Sequence, residues 1–372
     1  MVTKKLRVLV VDDTIVYRKA VSDIMEELPE VELVGVAHNG RIALSKIRTL
    51  QPDLLTLDIE MPVMNGLEVL AEIQKNSLKV GAIMLSTLTS EGGDMTLRAL
   101  ELGAFDFILK PQSTSLAEGK KEIKKLIHPM IKAYARSHTA SSLLRHSQPR
   151  RPLARTAARP SAHPERSTAV RPTKIQSSHK GRSEIVTIGI STGGPNALTQ
   201  VLPKLPGRIG VPIVIVQHMP PVFTKSLAAS LDKKCALTVK EAVDREPLRN
   251  DTVYIAPGGK QMKLVASADG QNRQIKITDD PPENSCKPSV DYLFRSIADY
   301  YVGRSTSVIM TGMGSDGTEG LKILKNKGSL IIAQNEKTCV VYGMPKIPIE
   351  SGLADIVSPL ERIADEILKS LK

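Results

Sequence analysis

The chain of 372 residues is 41% hydrophobic, with three cysteines and a formal net charge of +12. This length allows two domains that each bury a core, and three cysteines without metal-ligand spacing indicate free thiols in a reducing compartment. No stretch approaches the roughly 18 apolar residues of a membrane span, so we expect a soluble, cytoplasmic protein that is not membrane-embedded.

The positive charge is concentrated in the middle of the chain. Residues 111–183 contain 16 Lys and Arg against 3 Asp and Glu, whereas the segments before and after them contain 12 against 16 and 23 against 20. The later part of this basic segment is rich in Ser, Arg, Pro and Ala, with few side chains that could form a core. We therefore predict a domain over 1–125, a basic flexible linker over 126–183 and a second domain over 184–372.

The first domain alternates short apolar runs with longer amphipathic stretches. The apolar runs are LRVLVV, VELVGVA, DLLTLD, AIMLS and FDFIL. This alternation is typical of a doubly wound parallel sheet with helices on its faces. The second domain repeats the pattern with EIVTIGIS, VPIVIVQH, DTVYIAP, TSVIMTG and SLIIAQN. The runs MKLVAS and RQIKIT, joined through Asp269-Gly270, predict a hairpin inserted beside its parallel core.

Three carboxylates follow predicted strands of the first domain. Asp12 and Asp13 come directly after one strand, and Asp58 follows another. Strand ends of a doubly wound sheet meet in the crevice where such folds bind ligands, although a single carboxylate there can simply cap a helix. Three together repel one another unless a cation compensates, and oxygen ligands favour Mg²⁺. The sequence predicts a magnesium site at which one aspartate is a nucleophile for a phosphoryl group.

With these carboxylates, the first domain resembles the receiver domain of bacterial response regulators. The segments VLVVDDT, LLTLDIEMPVMNG, MLSTLT and FILKP occur in that family's order. The resemblance implies a flavodoxin-like fold with Asp58 as the phosphoacceptor, a Mg²⁺ site, and two switch residues that respond to the phosphoryl group. The metal site comprises Asp12, Asp13, Asp58 and the backbone carbonyl of Glu60, and the switch residues are Ser86 and Lys110.

A serine of the second domain lies in a glycine-rich turn. Residues 189–193 satisfy G-x-S-x-G between a predicted strand and a helical run, so the turn would expose Ser191 above the sheet edge. Backbone N–H groups at the start of the helix would be available to an oxyanion. A phosphate-binding loop has the same strand, loop and helix pattern, so this motif alone leaves both interpretations open.

A histidine and an aspartate follow other strands of the second domain. His218 closes IVIVQH, and Asp316 lies in GMGSDG after TSVIM, so both side chains are expected at the same sheet edge as Ser191. A serine hydroxyl becomes nucleophilic when a histidine accepts its proton, and an aspartate keeps that histidine in the required tautomer. The chain order Ser, His, Asp differs from that of α/β-hydrolases, so the motif does not predict that fold.

Six segments around these residues resemble the catalytic domain of the chemotaxis protein-glutamate methylesterase family. They are IGISTGGP, VQHMPPVFTKSLA, YIAPGG, KPSVDYLF, MTGMGSDGTEGL and AQNEKTCVVYGMP. The resemblance implies a Rossmann-like α/β domain that hydrolyses glutamate γ-methyl esters on chemoreceptor helices, and in many members also deamidates receptor glutamines. It implies activation by receiver phosphorylation, a chemotaxis histidine kinase as partner, and no cofactor for ester hydrolysis.

The resemblance also implies individual roles at this second site. Ser191 is the expected nucleophile, His218 the general base and Asp316 its orienting carboxylate. Thr192 and the backbone at Met313 are candidates for assisting the histidine and the oxyanion.

Two positions depart from the expected family pattern. Gln261 and Cys286 occupy places in the APGG and KPSVD regions where histidines are expected. Their effect on the substrate cleft is left open by the sequence.

The predicted linker bears on how the two domains communicate. A flexible chain carries no torque, so regulation has to pass through a direct contact between the domains. The resemblance implies that the unphosphorylated receiver packs near the catalytic edge and obstructs access to Ser191.

Two other function classes are alternatives. A response regulator with a DNA-binding output would use the basic segment as its footprint. Its later part, residues 138–183, has no Phe, Trp or Tyr and no helix-turn-helix pattern, so we predict no specific nucleic-acid partner. A serine hydrolase of the same fold that acts on another ester or amide under two-component control is compatible with the same triad.

Overall fold

The computed structural model describes residues 5–111, 115–146, 181–268, 270 and 272–372. The first domain is built on a five-stranded parallel sheet in the order β2-β1-β3-β4-β5. Its strands are β1 (Leu6–Val11), β2 (Val31–Ala37), β3 (Leu54–Asp58), β4 (Gly81–Ser86) and β5 (Asp106–Leu109). This order is that of a flavodoxin-like doubly wound sheet, which confirms the predicted fold class.

Five helices accompany this sheet: α1 (Ile15–Glu27), α2 (Gly40–Leu50), α3 (Gly66–Lys75), α4 (Ser90–Glu101) and α5 (Leu116–His146). Local chemistry fixes where they begin. Asn65, for example, caps α3 by accepting from the Glu68 N–H at 2.9 Å, while the Glu68 carboxylate accepts from the Asn65 N–H at 2.8 Å.

Helix α5 extends past the domain boundary predicted at residue 125. Its side chains Ile127 and Ile131 are buried in the core of the first domain, and the Tyr134 hydroxyl donates to the Asp53 carbonyl at 2.9 Å. The segment predicted as linker over 126–183 therefore begins as part of the first domain, because these apolar side chains cover one face of its sheet. Residues 147–180 of that segment lie outside the described residues.

The second domain contains a seven-stranded parallel sheet and a separate antiparallel hairpin. The sheet comprises β6 (Ile185–Ile190), β7 (Ile213–Gln217), β8 (Thr238–Glu241), β9 (Thr252–Ile255), β12 (Ser305–Ile309), β13 (Leu330–Gln334) and β14 (Ile356–Ser358). The hairpin pairs β10 (Gln261–Ala266) with β11 (Arg273–Thr278). The strand order is β14-β13-β12-β6-β7-β9-β8. The predicted Rossmann-like sheet and inserted hairpin are both confirmed.

The helices of the second domain are α6 (Gly194–Val201), α7 (Phe223–Asp232), α8 (Val290–Tyr300), α9 (Thr318–Asn326), α10 (Lys346–Glu350) and α11 (Ile363–Ser370). Strand β6 lies between β7 and β12, and the chain reverses its direction of travel across the sheet at this point. In open α/β sheets such a switch point leaves a crevice at the carboxyl ends of the strands, where ligands bind.

The two domains pack against each other through α4 and β5 of the first domain and through α6 and α7 of the second. The Phe107 and Phe223 rings stack with centroids 4.8 Å apart, and the Asn196 side-chain amide donates to the Leu100 carbonyl at 2.7 Å. Glu101 accepts from Ser230 at 3.1 Å and also pairs with Lys234. Buried apolar residues of the two domains form one continuous cluster across this contact.

No helix within the described ranges combines the length and apolar character that a membrane span requires.

Candidate functional site

Ser191 and His218 directly follow the central strands β6 and β7. The last paired residues of these strands are Ile190 and Gln217, and the His218 N–H donates to the Ile190 carbonyl at 3.1 Å. The two residues therefore occupy neighbouring positions on adjacent strands, where backbones lie about 4.8 Å apart. Asp316 follows β12 on the other side of β6, so the sheet brings all three predicted residues to one edge.

The turn after Ser191 requires glycine. Gly193 has φ 77°, and a Cβ on it would lie 2.6 Å from the Val340 side chain. A Cβ on Gly194 would lie 1.9 Å from Oε1 of Gln217. These close approaches let the chain turn sharply from β6 into α6 and place Ser191 at the mouth of the crevice.

His218 and Asp316 form the central ion pair of the site. The His218 Nε2 atom lies 2.8 Å from Oδ2 of Asp316, whose side chain is 2% exposed. Five further donors serve the same carboxylate: the side chains of Asn284 and Ser289, and the backbone N–H groups of Val290, Asp291 and Gly317. Burial opposes ionisation of Asp316, but the hydrogen bond from His218 and the other donors hold its pKa below the ordinary value.

The remaining ring nitrogen of His218 is the one available for proton transfer. Nδ1 lies 3.7 Å from Sγ of Cys286, while the Ser191 hydroxyl makes no hydrogen bond to any residue that the structure describes. Burial lowers the pKa of His218, whereas the hydrogen bond to Asp316 and the contact with Cys286 raise it, with a net pKa of about 9.

Two backbone N–H groups beside the triad are without a partner among the described residues. They belong to Thr192, which follows the serine, and to Met313, in the loop between β12 and Asp316. Free N–H groups next to a nucleophile are the donors that an oxyanion needs. The Thr192 side chain is buried and has the Asp106 carboxyl of the first domain as a neighbour.

The first domain carries a second cluster at the carboxyl edge of its own sheet. Carboxylate oxygens of Asp12, Asp13 and Asp58 lie within 4.8 Å of one another, and Nζ of Lys110 lies 2.9 Å from Asp12 and 2.8 Å from Asp58. Burial raises the pKa of Asp58 to about 6; Lys110 opposes that rise and Asp12 adds to it. One lysine does not balance three carboxylates, so this oxygen-only cluster fits a hard divalent cation.

The comparisons with known proteins agree for both halves of the chain. Residues 8–119 match the family model of the response regulator receiver domain, and residues 186–367 match that of the CheB methylesterase. A protein of Desulfotalea psychrophila is 58% identical over 369 residues, with 99% of each chain covered. It is named protein-glutamate methylesterase/protein-glutamine glutaminase. The chain belongs to the CheB methylesterase family.

Further CheB relatives cover the whole chain or one of its domains. The Bacillus subtilis protein with the same name as the Desulfotalea protein is 42% identical, with 99% of each chain covered. The solved CheB methylesterase catalytic domain of Thermotoga maritima is 44% identical and covers 50% of this chain and 98% of its own, with a TM-score of 0.49. The response regulator domain of Thermotoga maritima CheB is 39% identical over 36% of this chain and 98% of its own, with a TM-score of 0.33.

The two departures from the expected CheB pattern have different surroundings. Gln261 is fully buried; its Nε2 donates to the Pro281 carbonyl at 3.0 Å and its Oε1 accepts from the Ser289 N–H at 2.8 Å. It therefore ties the hairpin to the start of α8. Cys286 faces His218 directly.

Sequence reasoning missed the donors that surround Asp316. Ser289 is the N-cap of α8, and Asn284 lies in a tight turn before it. The Ser-Val-Asp sequence at 289–291 is a helix-start signal, which could have indicated a cluster of free N–H groups there. Asn284 had no comparable signal.

The remaining predicted receiver residues lie around the carboxylate cluster. The Ser86 hydroxyl accepts from Thr96 at 2.7 Å and makes no hydrogen bond to Asp58 among the described residues. Glu60 is exposed, and its carboxylate accepts from Thr87 at 3.4 Å. The geometry thus brings Asp12, Asp13, Asp58 and Lys110 together, while Ser86 is turned toward α4.

Proposed function

We propose that this protein hydrolyses glutamate γ-methyl esters on chemoreceptor helices, and deamidates receptor glutamines, with Ser191 as nucleophile. The observation that carries the proposal is the His218–Asp316 pair at 2.8 Å, set beside Ser191 at the switch point of the sheet. The names of full-length CheB relatives supply the substrate class.

The proposed reaction uses residues of this chain alone. The Ser191 hydroxyl attacks the ester carbonyl while Nδ1 of His218 accepts its proton, and Asp316 stabilises the imidazolium through Nε2. The Thr192 and Met313 N–H groups donate to the carbonyl oxygen as it becomes negative. His218 then protonates the leaving methanol, or ammonia from a glutamine. Water, activated in the same way, releases the glutamate carboxylate from the serine.

The receiver half is proposed to control this reaction through phosphorylation of Asp58. Asp12, Asp13, Asp58 and the Glu60 carbonyl would hold Mg²⁺, which supplies positive charge to an incoming phosphoryl group. Lys110 already contacts Asp12 and Asp58, and on phosphorylation it would bind a phosphoryl oxygen instead. Ser86 would turn from Thr96 toward the phosphoryl group, so that its movement is transmitted to α4.

The domain contact offers a route for that control. Helix α4 packs on α6 and α7, which begin directly after the segments that carry Ser191 and His218. The Asp106 carboxyl of the receiver neighbours Thr192, the residue next to the nucleophile. We therefore assign the unphosphorylated receiver an obstructing role, and phosphorylation a loosening one. The proposed partners are methylated receptor helices and a chemotaxis histidine kinase, both in the cytoplasm.

The deciding experiment is methanol release from methylated receptor membranes by the purified full-length protein, with and without a small-molecule phosphodonor and Mg²⁺. We expect slow release without the phosphodonor and faster release with it. A fragment of residues 181–372 should be faster than the unphosphorylated full-length protein and indifferent to phosphodonor. Absence of methanol release from both proteins would contradict the substrate assignment. A fragment no faster than the unphosphorylated full-length protein would contradict obstruction.

A further inference from the structure

The Cys286 thiol is held against His218 by a tight turn. Glu283 and Cys286 exchange backbone hydrogen bonds of 3.1 and 2.7 Å, and the two residues between them have φ values of 51° and 62°. The side chain of Asn284 donates to Asp291 at 2.9 Å and to Asp316 at 3.0 Å, which fastens the turn to the ion pair. The Sγ atom is consequently fixed 3.7 Å from Nδ1 of His218.

This separation suits two ligands of one metal ion. Zinc lies about 2.3 Å from a thiolate sulfur and about 2.0 Å from an imidazole nitrogen, so tetrahedral geometry puts the two ligand atoms roughly 3.6 Å apart. Metal-binding histidines generally donate their other ring N–H to a carboxylate, as His218 does to Asp316 at 2.8 Å. Ligand atoms of Cys286, His218 and Asp316 all lie within 4.8 Å of one another.

We propose that the catalytic crevice binds a thiophilic divalent cation, Zn²⁺ above all, through Sγ of Cys286 and Nδ1 of His218. Asp316 orients the histidine from its far side, and water fills the remaining positions. The Cys286 thiol releases its proton on binding and no electron is transferred. Because Nδ1 is then occupied, His218 accepts no proton from Ser191, so the cation inhibits hydrolysis reversibly. This inhibition rests on the proposed role of His218, whereas the binding does not.

The proposed site differs from the other candidate metal sites of the chain in the ligand atoms that it offers. The receiver cluster offers carboxylate oxygens, which suit Mg²⁺. Cys339 is also half-buried, with Sγ 3.8 Å from the Gln334 carbonyl, but belongs to no metal-ligating cluster among the described residues. Cys339 therefore provides a matched control for Cys286.

The test uses the full-length, tag-free protein after removal of metal by a chelator. Cd²⁺ titration should give an ultraviolet sulfur-to-metal charge-transfer band in the wild type and in Cys339→Ser, and no such band from this site in Cys286→Ser. At free Zn²⁺ set by a metal buffer, methanol release should fall in the wild type and in Cys339→Ser. Half-inhibition of Cys286→Ser should need at least about tenfold more Zn²⁺, because loss of even an outer-shell partner costs a metal site about 10- to 100-fold in affinity. Activity is compared with and without Zn²⁺ within each variant.

Each outcome decides one part of the proposal. Equal bands in the wild type and Cys286→Ser, or half-inhibition of both at the same free Zn²⁺, would overturn the site. A Cys286-dependent band with unchanged methanol release would keep the metal site but remove its inhibitory role and the assignment of His218 as general base. A protein that binds Cd²⁺ through Cys286 yet releases no methanol even without metal would leave the site standing and contradict the proposed function.

Discussion

Asp316 and Asp58 both follow a buried strand of a parallel sheet, but their charges are held in different ways. Asp316 accepts six hydrogen bonds from fixed donors, among them three backbone N–H groups. Asp58 is paired with the flexible side chain of Lys110 and lies beside two further carboxylates. Fixed donors lower the pKa of Asp316, whereas burial and the neighbouring Asp12 raise that of Asp58.

The two arrangements suit the two sheet edges to different functions. A carboxylate surrounded by fixed dipoles needs no reorganisation when its histidine becomes charged, which is what a catalytic site requires. A carboxylate whose charge is incompletely balanced changes its surroundings when a cation or phosphoryl group arrives, which is what a switch requires.

The largest effect is expected from Ser191→Ala. Removal of the proposed nucleophile should lower the turnover number by about 10⁴ to 10⁶, because members of a triad act as a unit. The measurement is initial methanol release, with circular dichroism to verify the fold. Ser351→Ala, at an exposed serine after α10, is the matched control and should keep normal turnover. Retention of more than about a tenth of wild-type activity by Ser191→Ala would remove this serine from the mechanism.

The next effect concerns Asp58→Asn. With Mg²⁺ and a phosphodonor, the wild type should acquire one acid-stable, base-labile phosphoryl group, as an acyl phosphate requires, and methanol release should rise roughly 5- to 150-fold. Asp58→Asn should show neither change, and chelation of Mg²⁺ should abolish labelling of the wild type. Asp94→Asn, at an exposed carboxylate of α4, should respond as the wild type does. Mass spectrometry that placed the phosphoryl group elsewhere would contradict the receiver assignment.

The domain contact is tested by placing a side chain where there is no room for one. A Cβ on Gly93 of α4 would lie 3.2 Å from Oγ of Ser226 and 3.6 Å from Val222. Gly93→Leu should therefore separate the domains and raise the activity of the unphosphorylated protein several-fold, up to the level reached on phosphorylation. The control is Asp94→Leu, one residue along α4 and exposed. Equal activities for the two variants would count against an obstructing contact.

The sequence was sufficient to predict most of the strands and to place Ser191, His218 and Asp316 at one sheet edge, because apolar runs and glycine turns are local signals. The short edge strands β8 and β14 were missed. The turn that presents Cys286 had no such signal, since Asn284 and Ser285 adopt positive φ without glycine. Val63 and Val222, each after a proline beside a site, also have positive φ, at 70° and 74°. β-Branched residues rarely adopt such angles, and tertiary contacts have to enforce them.

The predicted end of the first domain at residue 125 falls inside α5, whose Ile127 and Ile131 belong to a buried apolar face. Sequence reasoning predicted a direct contact between the domains but not the residues that form it. The stacking of Phe107 on Phe223 joins two segments more than one hundred residues apart. Complementarity between two surfaces leaves no periodic pattern in either one.

The smallest effect is expected at Asp106, which lies at the domain contact beside Thr192. Burial raises the pKa of Asp106 to about 6, and the neighbouring Thr192 hydroxyl opposes part of that rise. If the domains separate, the carboxyl returns toward its ordinary pKa of 3.8. The packed state therefore prefers protonated Asp106. Protonation of Asp106 therefore stabilises the domain contact fully below the ordinary pKa, and this stabilisation is lost as the pH rises through about 6.

Asp106→Asn should keep the domains packed at neutral pH, because an amide does not ionise. We expect the unphosphorylated variant to be a few-fold less active than the wild type at about pH 8, with a smaller difference at about pH 5 that disappears only below the ordinary pKa of 3.8. The quantity to measure is the ratio of the two rates, because titration of His218 affects both proteins alike and cancels. The fragment of residues 181–372 lacks Asp106. Its rate of methanol release should therefore show no pH dependence that comes from loosening of the domain contact. A ratio that stays constant between these two pH values would show that ionisation of Asp106 does not weaken the contact, and that the receiver is released by phosphorylation without help from this carboxylate.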